Sequence, residues 1–264
     1  MKNITLSLIT LLSLSSMLQA QEVAVTDVEA KYSNNNSVEA SENLKQSINL
    51  GFSSTTGNTD TLNLNGRYDA SITTIGYKNN PLKIAFDASA FFTENNSVKS
   101  NEEFIVNLGM EQNYNQDWLI YAGTTWLRNP DFRNYNNKIA INLGVGKELF
   151  NNGKHKFVAK LGTSYNIEDY SNNQETEKFG ALNEYLEYNN QLNKISNLYV
   201  KAGAMQNFDD MKEDYQAVGV LGVNFSVGEN IKLSIEEEIA YDNLPPVGFK
   251  KTDTKSIVRL GYDF

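Results

Sequence analysis

Apolar and polar residues alternate along most of the chain after residue 44, and the alternation is clearest in the last segment. Because successive side chains of a strand project to opposite faces, this pattern predicts a strand with one apolar face. The apolar face ends on an aromatic residue at position 264, as the final lipid-facing strand of a barrel requires. The two faces of this segment are Ser256, Val258, Leu260, Tyr262 and Phe264 against Ile257, Arg259, Gly261 and Asp263.

The same alternation recurs in about twelve segments, each near or above the roughly 9 to 11 residues that a tilted strand needs to cross the hydrocarbon. An even number suits a bacterial single-chain barrel. The pattern therefore predicts an all-β fold, an antiparallel transmembrane up-and-down β-barrel over residues 44–264. The last five predicted strands are 179–190, 197–207, 214–227, 231–241 and 253–264.

The connections between these segments are expected to alternate in length, with tight periplasmic turns and longer external loops. The predicted turns are rich in Asn, Gly and Asp, which tolerate positive φ. They lie near 78–81, 115–117, 151–154, 193–196 and 228–230, and the predicted external loops are 93–102, 128–136, 167–178, 208–213 and 242–252. The first external turn, 56–59, is expected to be short.

Composition favours strands over membrane-spanning helices. Hydrophobic residues make up 40% of the chain, mean hydropathy is -0.46, and no apolar run after residue 20 approaches the roughly 20 residues of a spanning helix. Residues 1–20 have the short apolar stretch of a cleavable signal peptide, and 21–43 are predicted to be a flexible periplasmic segment. The chain has no cysteine, which excludes a lipoprotein anchor. Its formal charge of -9 argues against nucleic acid as a partner.

The predicted interior face carries charges of both signs. Such side chains either pair and fill the lumen or line a narrow wet channel, and at about twelve strands both interpretations stay open. Three charges fall instead on the lipid-facing side, Lys147 near a periplasmic end and Glu184 and Glu237, for which we expect an interfacial depth or a bulge. The predicted lumen-lining residues are Arg67, Asp69, Lys83, Asp87, Glu111, Lys160, Lys201, Lys232, Glu236, Glu238, Arg259 and Asp263.

The chain offers little for catalysis or for a metal. Its one histidine, His155, lies beside a predicted periplasmic turn and is interpreted as a solvated turn residue rather than a base. The acidic run Asp209, Asp210, Glu213 and Asp214 is interpreted as a solvated external loop. Gly144 and Gly146 lie inside a strand, where glycine relieves crowding or permits curvature. We therefore predict no catalytic residue, no cofactor and no metal site, and a protein that is not an enzyme.

Two segments resemble a known family. The stretch 50–61, with Gly57, Asn58 and Thr59 in its turn, and the stretch 244–254, with Pro245 and Pro246, are similar to the domain of unknown function 481 family. This family includes YdiY-like proteins described as salt-induced outer-membrane proteins. The resemblance implies an outer-membrane barrel and brings no activity.

A terminal Phe264 preceded two residues earlier by Tyr262 also resembles the signal that the barrel-assembly machinery reads. The expected location is the bacterial outer membrane, with lipid, the assembly machinery and small solutes or ions as partners. The leading hypothesis is a non-enzymatic narrow pore or structural envelope protein linked to salt or osmotic stress. The alternatives are a binding or adhesion module acting through loops 128–136, 167–178 and 242–252, and, third, a barrel hydrolase.

Overall fold

The computed structural model describes residues 44–55, 61–95, 98–115, 117–130, 135–171, 175–245 and 251–264. The predicted signal peptide and N-terminal segment lie outside these residues, as does the first external turn. The described part contains twelve strands and a single 3₁₀ turn, Tyr77–Asn79, between the second and third. The strands are β1 Lys45–Thr55, β2 Thr61–Ile75, β3 Pro81–Asn95, β4 Val98–Asn113, β5 Trp118–Asn129, β6 Tyr135–Asn151, β7 His155–Tyr170, β8 Glu177–Asn193, β9 Ser196–Asn207, β10 Tyr215–Ser226, β11 Ile231–Asp242 and β12 Thr252–Asp263.

All strands are antiparallel to their neighbours, and β1 pairs with β12 to close the barrel. The fold class is therefore confirmed as a closed up-and-down β-barrel. The closing seam is short, because only positions 47–50 of β1 pair with 260–263 of β12, whereas β1 and β2 pair along the whole of β1. Among the described residues, no helix has the length and apolar character needed to cross a membrane.

Exposed apolar side chains cover the outer face of the barrel. Ile141, Leu143 and Val145 on β6, and Leu161 and Tyr165 on β7, are all exposed, while the residues between them are more buried. Polar and charged residues are buried on the inner face instead. Apolar side chains outside and polar side chains inside are typical of a barrel that is surrounded by lipid. The period-two pattern of the sequence therefore identifies the two faces of the wall.

The strand ends agree with the predicted periplasmic turns but shorten two of the predicted external loops. β3 runs to Asn95 and β4 begins at Val98, so the expected long loop at 93–102 is wrong. β7 likewise extends to Tyr170 and β8 begins at Glu177, which takes up much of the loop expected at 167–178. Five strands from β3 to β8 are 15 to 17 residues long, more than the hydrocarbon requires, and they continue above it.

The expected bulges near Glu184 and Glu237 are absent from the described strands. Pairing is continuous through both residues on both sides, and both side chains are exposed on the outer face. The alternative of an interfacial depth is also wrong for Glu237, which has Ile235 and Ile239 on either side of it on the outer face. Ser256 Oγ donates a hydrogen bond to its carboxylate from β12. An acid on the lipid face costs less than a Lys or Arg, and this bond lowers the cost further.

Side chains lie over several interior glycines. A Cβ on Gly144 would come within 2.7 Å of Cζ of Tyr121, and one on Gly146 within 2.8 Å of Cδ1 of Leu119. The Tyr199 ring occupies the same position over Gly222 on the neighbouring strand. The prediction that glycine relieves crowding in the wall is therefore confirmed, since these glycines leave room for large side chains from the adjacent strand.

Candidate functional site: the lumen

The strand registers place the predicted lumen-lining residues on the inner face, at different depths. Asp87, Lys160, Lys201, Glu238 and Arg259 are buried. Arg67, Asp69, Lys83, Glu111 and Glu236 are partly buried. Lys232 and Asp263 form an ion pair at the end of the barrel that carries the predicted periplasmic turns, called the periplasmic mouth, where their side chains are 47% and 39% exposed. Water therefore reaches the charges of the mouth more readily than those deeper in the lumen.

Ion pairs between strands continue the site inward from the mouth. Lys156 Nζ lies 3.3 Å from Glu148 Oε2, with side chains 36% and 27% exposed. Deeper in, Lys160 on β7 forms an ion pair with Glu111 on β4, although β5 and β6 lie between these two strands. The Lys160 ammonium also lies 5.6 Å from the centre of the Tyr121 ring, a distance at which the ring attracts a cation.

A second group of charges lies near the seam. Arg67 Nε donates a hydrogen bond of 2.7 Å to Asp69 Oδ1, and Asn49 Nδ2 donates one of 3.2 Å to Asp69 Oδ2. Arg259 on β12 pairs with Glu236 and also donates a 3.3 Å bond to Asn65 Oδ1 on β2. Arg259 thus reaches past β1 and links the two strands that flank it, so side-chain bonds reinforce a seam that has few backbone pairs.

The middle of the lumen brings charges from opposite walls within electrostatic reach. Lys201 on β9 interacts with Glu187 on the adjacent β8, and also with Arg67 on β2 and Lys83 on β3, across the ring of strands. Glu187 accepts hydrogen bonds of 2.7 Å from Tyr185 and 2.6 Å from Asn189. Charges on opposite walls of the ring therefore act on one another across the middle of the lumen.

The opposite end of the barrel, where the predicted external loops lie, is called the extracellular end, and its lumen is filled more completely than the periplasmic mouth. Lys138 on β6 forms an ion pair with Glu168 on β7, and the two side chains are only 2% and 7% exposed. Glu168 Oε2 also accepts hydrogen bonds from the hydroxyls of Tyr135, at 3.2 Å, and Tyr170, at 2.6 Å. Lys138 lies over the Tyr135 ring, 4.6 Å from its centre. This group is a satisfied, buried polar network rather than a wet one.

Two apolar clusters, together called the outer plug, lie on the inner face: the second adjoins this network, and the first extends from the extracellular end down to the depth of Lys160 and Lys201. The first is centred on Tyr185 and Met205, which are 1% and 2% exposed, and the second on Leu127, which is 1% exposed. The full plug consists of Ala181, Tyr185, Tyr199, Met205, Val218 and Val220 with Phe179 packed against them, and Ile105, Leu127 and Tyr135 with Tyr170. The lumen is thus accessible at its periplasmic mouth, and farther in it is closed by buried charges and apolar clusters that lie side by side.

Sequence reasoning missed several interior residues that matter to this arrangement. Glu187, Lys138 and Glu168 are buried charges in ion pairs or hydrogen bonds, yet they were not among the predicted lining residues. Alternation alone could have placed them, since Ile139 and Leu186, their neighbours in sequence, face outward. The sequence alone does not show which of these charges form pairs, because contacts between strands depend on the register of the strands.

The residues considered for other chemistry lie outside the lumen. His155 begins β7 and is partly buried, and its Nδ1 lies 2.8 Å from the hydroxyl of Tyr188, so it is a packed rather than a freely solvated residue. In the acidic loop, Asp214 accepts a 2.7 Å bond from Asn207. Within the part of the chain that the structure describes, no three His, Asp or Glu side chains are grouped so that they could hold a metal ion.

The C-terminal aromatic pair lies on the outer face at the periplasmic end of the seam. The Tyr262 and Phe264 rings stack with centres 6.2 Å apart, and both are exposed. The backbone N–H of Phe264 donates a 3.1 Å bond to the carbonyl of Gln46 on β1. A role for the pair as an assembly signal stays a prediction, and its exposure leaves both rings available for recognition.

Comparison of the sequence with known families matches residues 48–264 to "Protein of unknown function, DUF481". The chain belongs to this family. The match covers nearly the whole described barrel and confirms the resemblance carried by the first turn and the closing segment. A comparison with curated proteins finds no match.

Solved structures with similar folds are outer-membrane barrels. An outer membrane channel, COG4313, from Pseudomonas putida F1 has 10% sequence identity and a TM-score of 0.52, and the match covers 84% of this chain and 95% of that one. The NanC porin has 9% identity and a TM-score of 0.48 over 83% of this chain and 98% of that one. The translocator domain of the autotransporter NalP from Neisseria meningitidis has 14% identity and a TM-score of 0.43, with coverage of 84% and 86%. The first of these supports the barrel fold.

Proposed function

We propose that this DUF481 protein is a non-enzymatic outer-membrane channel of narrow bore. Small ions or solutes enter it from the periplasmic mouth, and the outer plug closes it toward the outside. One observation carries the proposal, the change in burial along the lumen from the accessible Lys232–Asp263 pair to the fully buried Leu127 and Tyr185. Hydrophobic constrictions of this kind gate channels by excluding water. The fold similarity to the Pseudomonas channel agrees with this function.

Single-channel recording in planar bilayers tests the proposal directly. We expect the refolded wild-type protein to show small, infrequent conductance steps and Leu127→Ala to show larger or more frequent ones, because truncation opens the plug. Leu143→Ala is the matched control, since Leu143 is the same residue type on the lipid-facing side of β6. It should leave conductance unchanged. Heat-modifiable gel mobility shows for each variant that the barrel has closed.

The interior charges supply an independent measurement. Lys160→Gln removes a buried positive charge from the inner wall and leaves Glu111 in the same part of the lumen. In asymmetric KCl the reversal potential should shift toward cation selectivity relative to wild type. A wild-type protein and a Leu127→Ala variant that both remain silent would overturn the channel and leave a filled structural barrel.

Salt or osmotic tolerance belongs to the proposal as its physiological setting, and it rests on the resemblance to proteins described as salt-induced. A deletion strain should grow more slowly than its parent at high NaCl, and Leu127→Ala should fail to restore growth if a closed resting state is what protects the cell. Equal growth of the deletion strain and its parent across salt concentrations would refute this part of the proposal.

A further inference from the structure

A cluster of aromatic rings and two lysines lies on the outer surface of the barrel at its periplasmic rim. It comprises Tyr77 and Lys78 in the 3₁₀ turn, Tyr114 at the end of β4, Trp118 at the start of β5 and Lys147 on β6, and is called the rim platform. Its three rings are exposed. The channel proposal uses none of these residues.

Each lysine of the platform is held against aromatic rings. Lys78 Nζ lies 5.2 Å from the centre of the Tyr77 ring and 5.3 Å from that of Tyr114, and these two rings stack with centres 6.1 Å apart. Lys147 Nζ lies 5.2 Å from the centre of the Trp118 ring, on the strand paired with its own. Cation–π contacts of this length orient an ammonium group without neutralising its charge.

The turn that carries Lys78 is built at some conformational cost. Lys78 and Asn79 have φ values of 54° and 61°, in the left-handed region that lysine rarely adopts. The backbone N–H of Tyr77 donates a 2.9 Å bond to Gln112 Oε1, and Asn80 Nδ2 donates a 3.0 Å bond to the carbonyl of Tyr114. These bonds tie two successive periplasmic turns together. Strain of this kind persists where the surrounding structure fixes it, often at binding sites.

Neither ammonium group has a counter-charge among the residues that the structure describes. Among the described residues, no carboxylate lies within 4 Å of Lys78 or Lys147, and the nearby Asp117 is exposed in the turn before Trp118. Ile120, the next outward-facing residue after Trp118 on β5, and Val145, the one next to Lys147 on β6, are exposed and apolar. The platform therefore combines fixed positive charge, flat rings and adjoining apolar surface, which is the composition of the interfacial belts of membrane proteins.

We propose that the rim platform binds an anionic phospholipid of the periplasmic leaflet. Its headgroup phosphate lies between Lys78 and Lys147, and its acyl chains run along the apolar surface above Trp118. The charge complementarity of two unneutralised lysines favours a lipid with net negative charge over a zwitterionic one, whose own cation competes for the phosphate. This inference depends on the transmembrane fold and not on conductance through the lumen.

Native mass spectrometry of the folded barrel in detergent, titrated with phosphatidylglycerol or phosphatidylcholine, tests the site. Wild type should retain phosphatidylglycerol preferentially, and Lys78→Gln combined with Lys147→Gln should weaken its binding about twenty-fivefold, since each lysine near a membrane surface contributes about fivefold. The matched control combines Lys154→Gln with Lys194→Gln. These lysines lie in other periplasmic turns and are exposed, so the control should bind like wild type.

Three results would overturn the proposal. Equal retention of the two lipids by wild type would remove the preference for anionic headgroups. Equal losses in the platform and control variants would show that net charge of the rim, rather than a site, attracts the lipid. Displacement of phosphatidylglycerol by millimolar inorganic phosphate would show a phosphate site without lipid specificity. Unboiled gel mobility of each variant verifies that the barrel is folded, so loss of binding cannot come from misfolding.

Discussion

Two Lys–Glu ion pairs join β6 and β7 at opposite ends of these strands. Because the two pairs consist of the same residue types, a comparison between them isolates the effect of burial on stability. Lys138–Glu168 lies at the extracellular end, with side chains 2% and 7% exposed, and Lys156–Glu148 at the periplasmic end, 36% and 27% exposed. Breaking a buried pair leaves one charge without compensation and typically costs 3–5 kcal/mol, whereas an exposed pair contributes about 0–1 kcal/mol.

We therefore expect Glu168→Gln to lower the free energy of unfolding by about 3 kcal/mol, because Lys138 stays charged in the closed end of the lumen. Glu148→Gln should cost less than about 1 kcal/mol. Urea titration of the barrel in lipid vesicles, followed by tryptophan fluorescence and by gel mobility, measures both. A difference of about 2 kcal/mol corresponds to roughly a thirtyfold difference in the unfolding equilibrium.

A double variant separates charge from shape. Lys138→Gln with Glu168→Gln removes both charges while keeping a carbonyl oxygen that can accept the hydrogen bonds of Tyr135 and Tyr170. It should recover most of the stability lost in Glu168→Gln, within about 1 kcal/mol of wild type. Equal losses for Glu168→Gln and Glu148→Gln, or a double variant as unstable as the sum of its single changes, would refute the reasoning from burial.

Two further changes test the seam and the glycine positions. Asn49 on β1 lies directly opposite Gly261 on β12, so Asn49→Cys with Gly261→Cys should form a disulfide under oxidation and raise the unfolding temperature. Non-reducing gels detect the disulfide and thermal melts measure the unfolding temperature. A pair of cysteines that stays unbridged would contradict the register. Gly222→Val should cost about 1–3 kcal/mol, because it displaces the ring of Tyr199. In the same melts Gly219→Val, where nothing lies within 4 Å of an added Cβ, should be tolerated, and equal losses at both glycines would refute the packing argument.

The sequence predicts the faces of the wall well because lipid outside and polar groups inside impose a strict period of two. Lys160 and Leu161 illustrate it, one buried in the lumen and the other exposed on the outer surface. The prediction failed at 93–102, where few residues are apolar. Strands that continue above the hydrocarbon have water on the outside, so the lipid no longer requires apolar residues on that face.

The contacts inside the lumen could not be predicted for a different reason. Glu111 and Lys160 are separated by 49 residues, and they meet because closure of the ring and register bring β4 and β7 to the same depth. Nothing local to either residue identifies the other. Alternation shows that both face inward, but the partner of a lumen charge is a property of the whole barrel.

The mixed charges of the interior follow from the size of the barrel. Eight strands enclose a space that ordinary side chains fill, and twelve enclose a wider one, which only long side chains can span. Lysine, arginine, glutamate and tyrosine reach toward the axis, and inside a closed lumen their charges require partners, as Lys138 has in Glu168. Glycines such as Gly222 leave space for the rings that complete the packing. Because so wide a lumen is closed by a few large side chains, truncating one of them, Leu127, is enough to distinguish a channel from a solid scaffold.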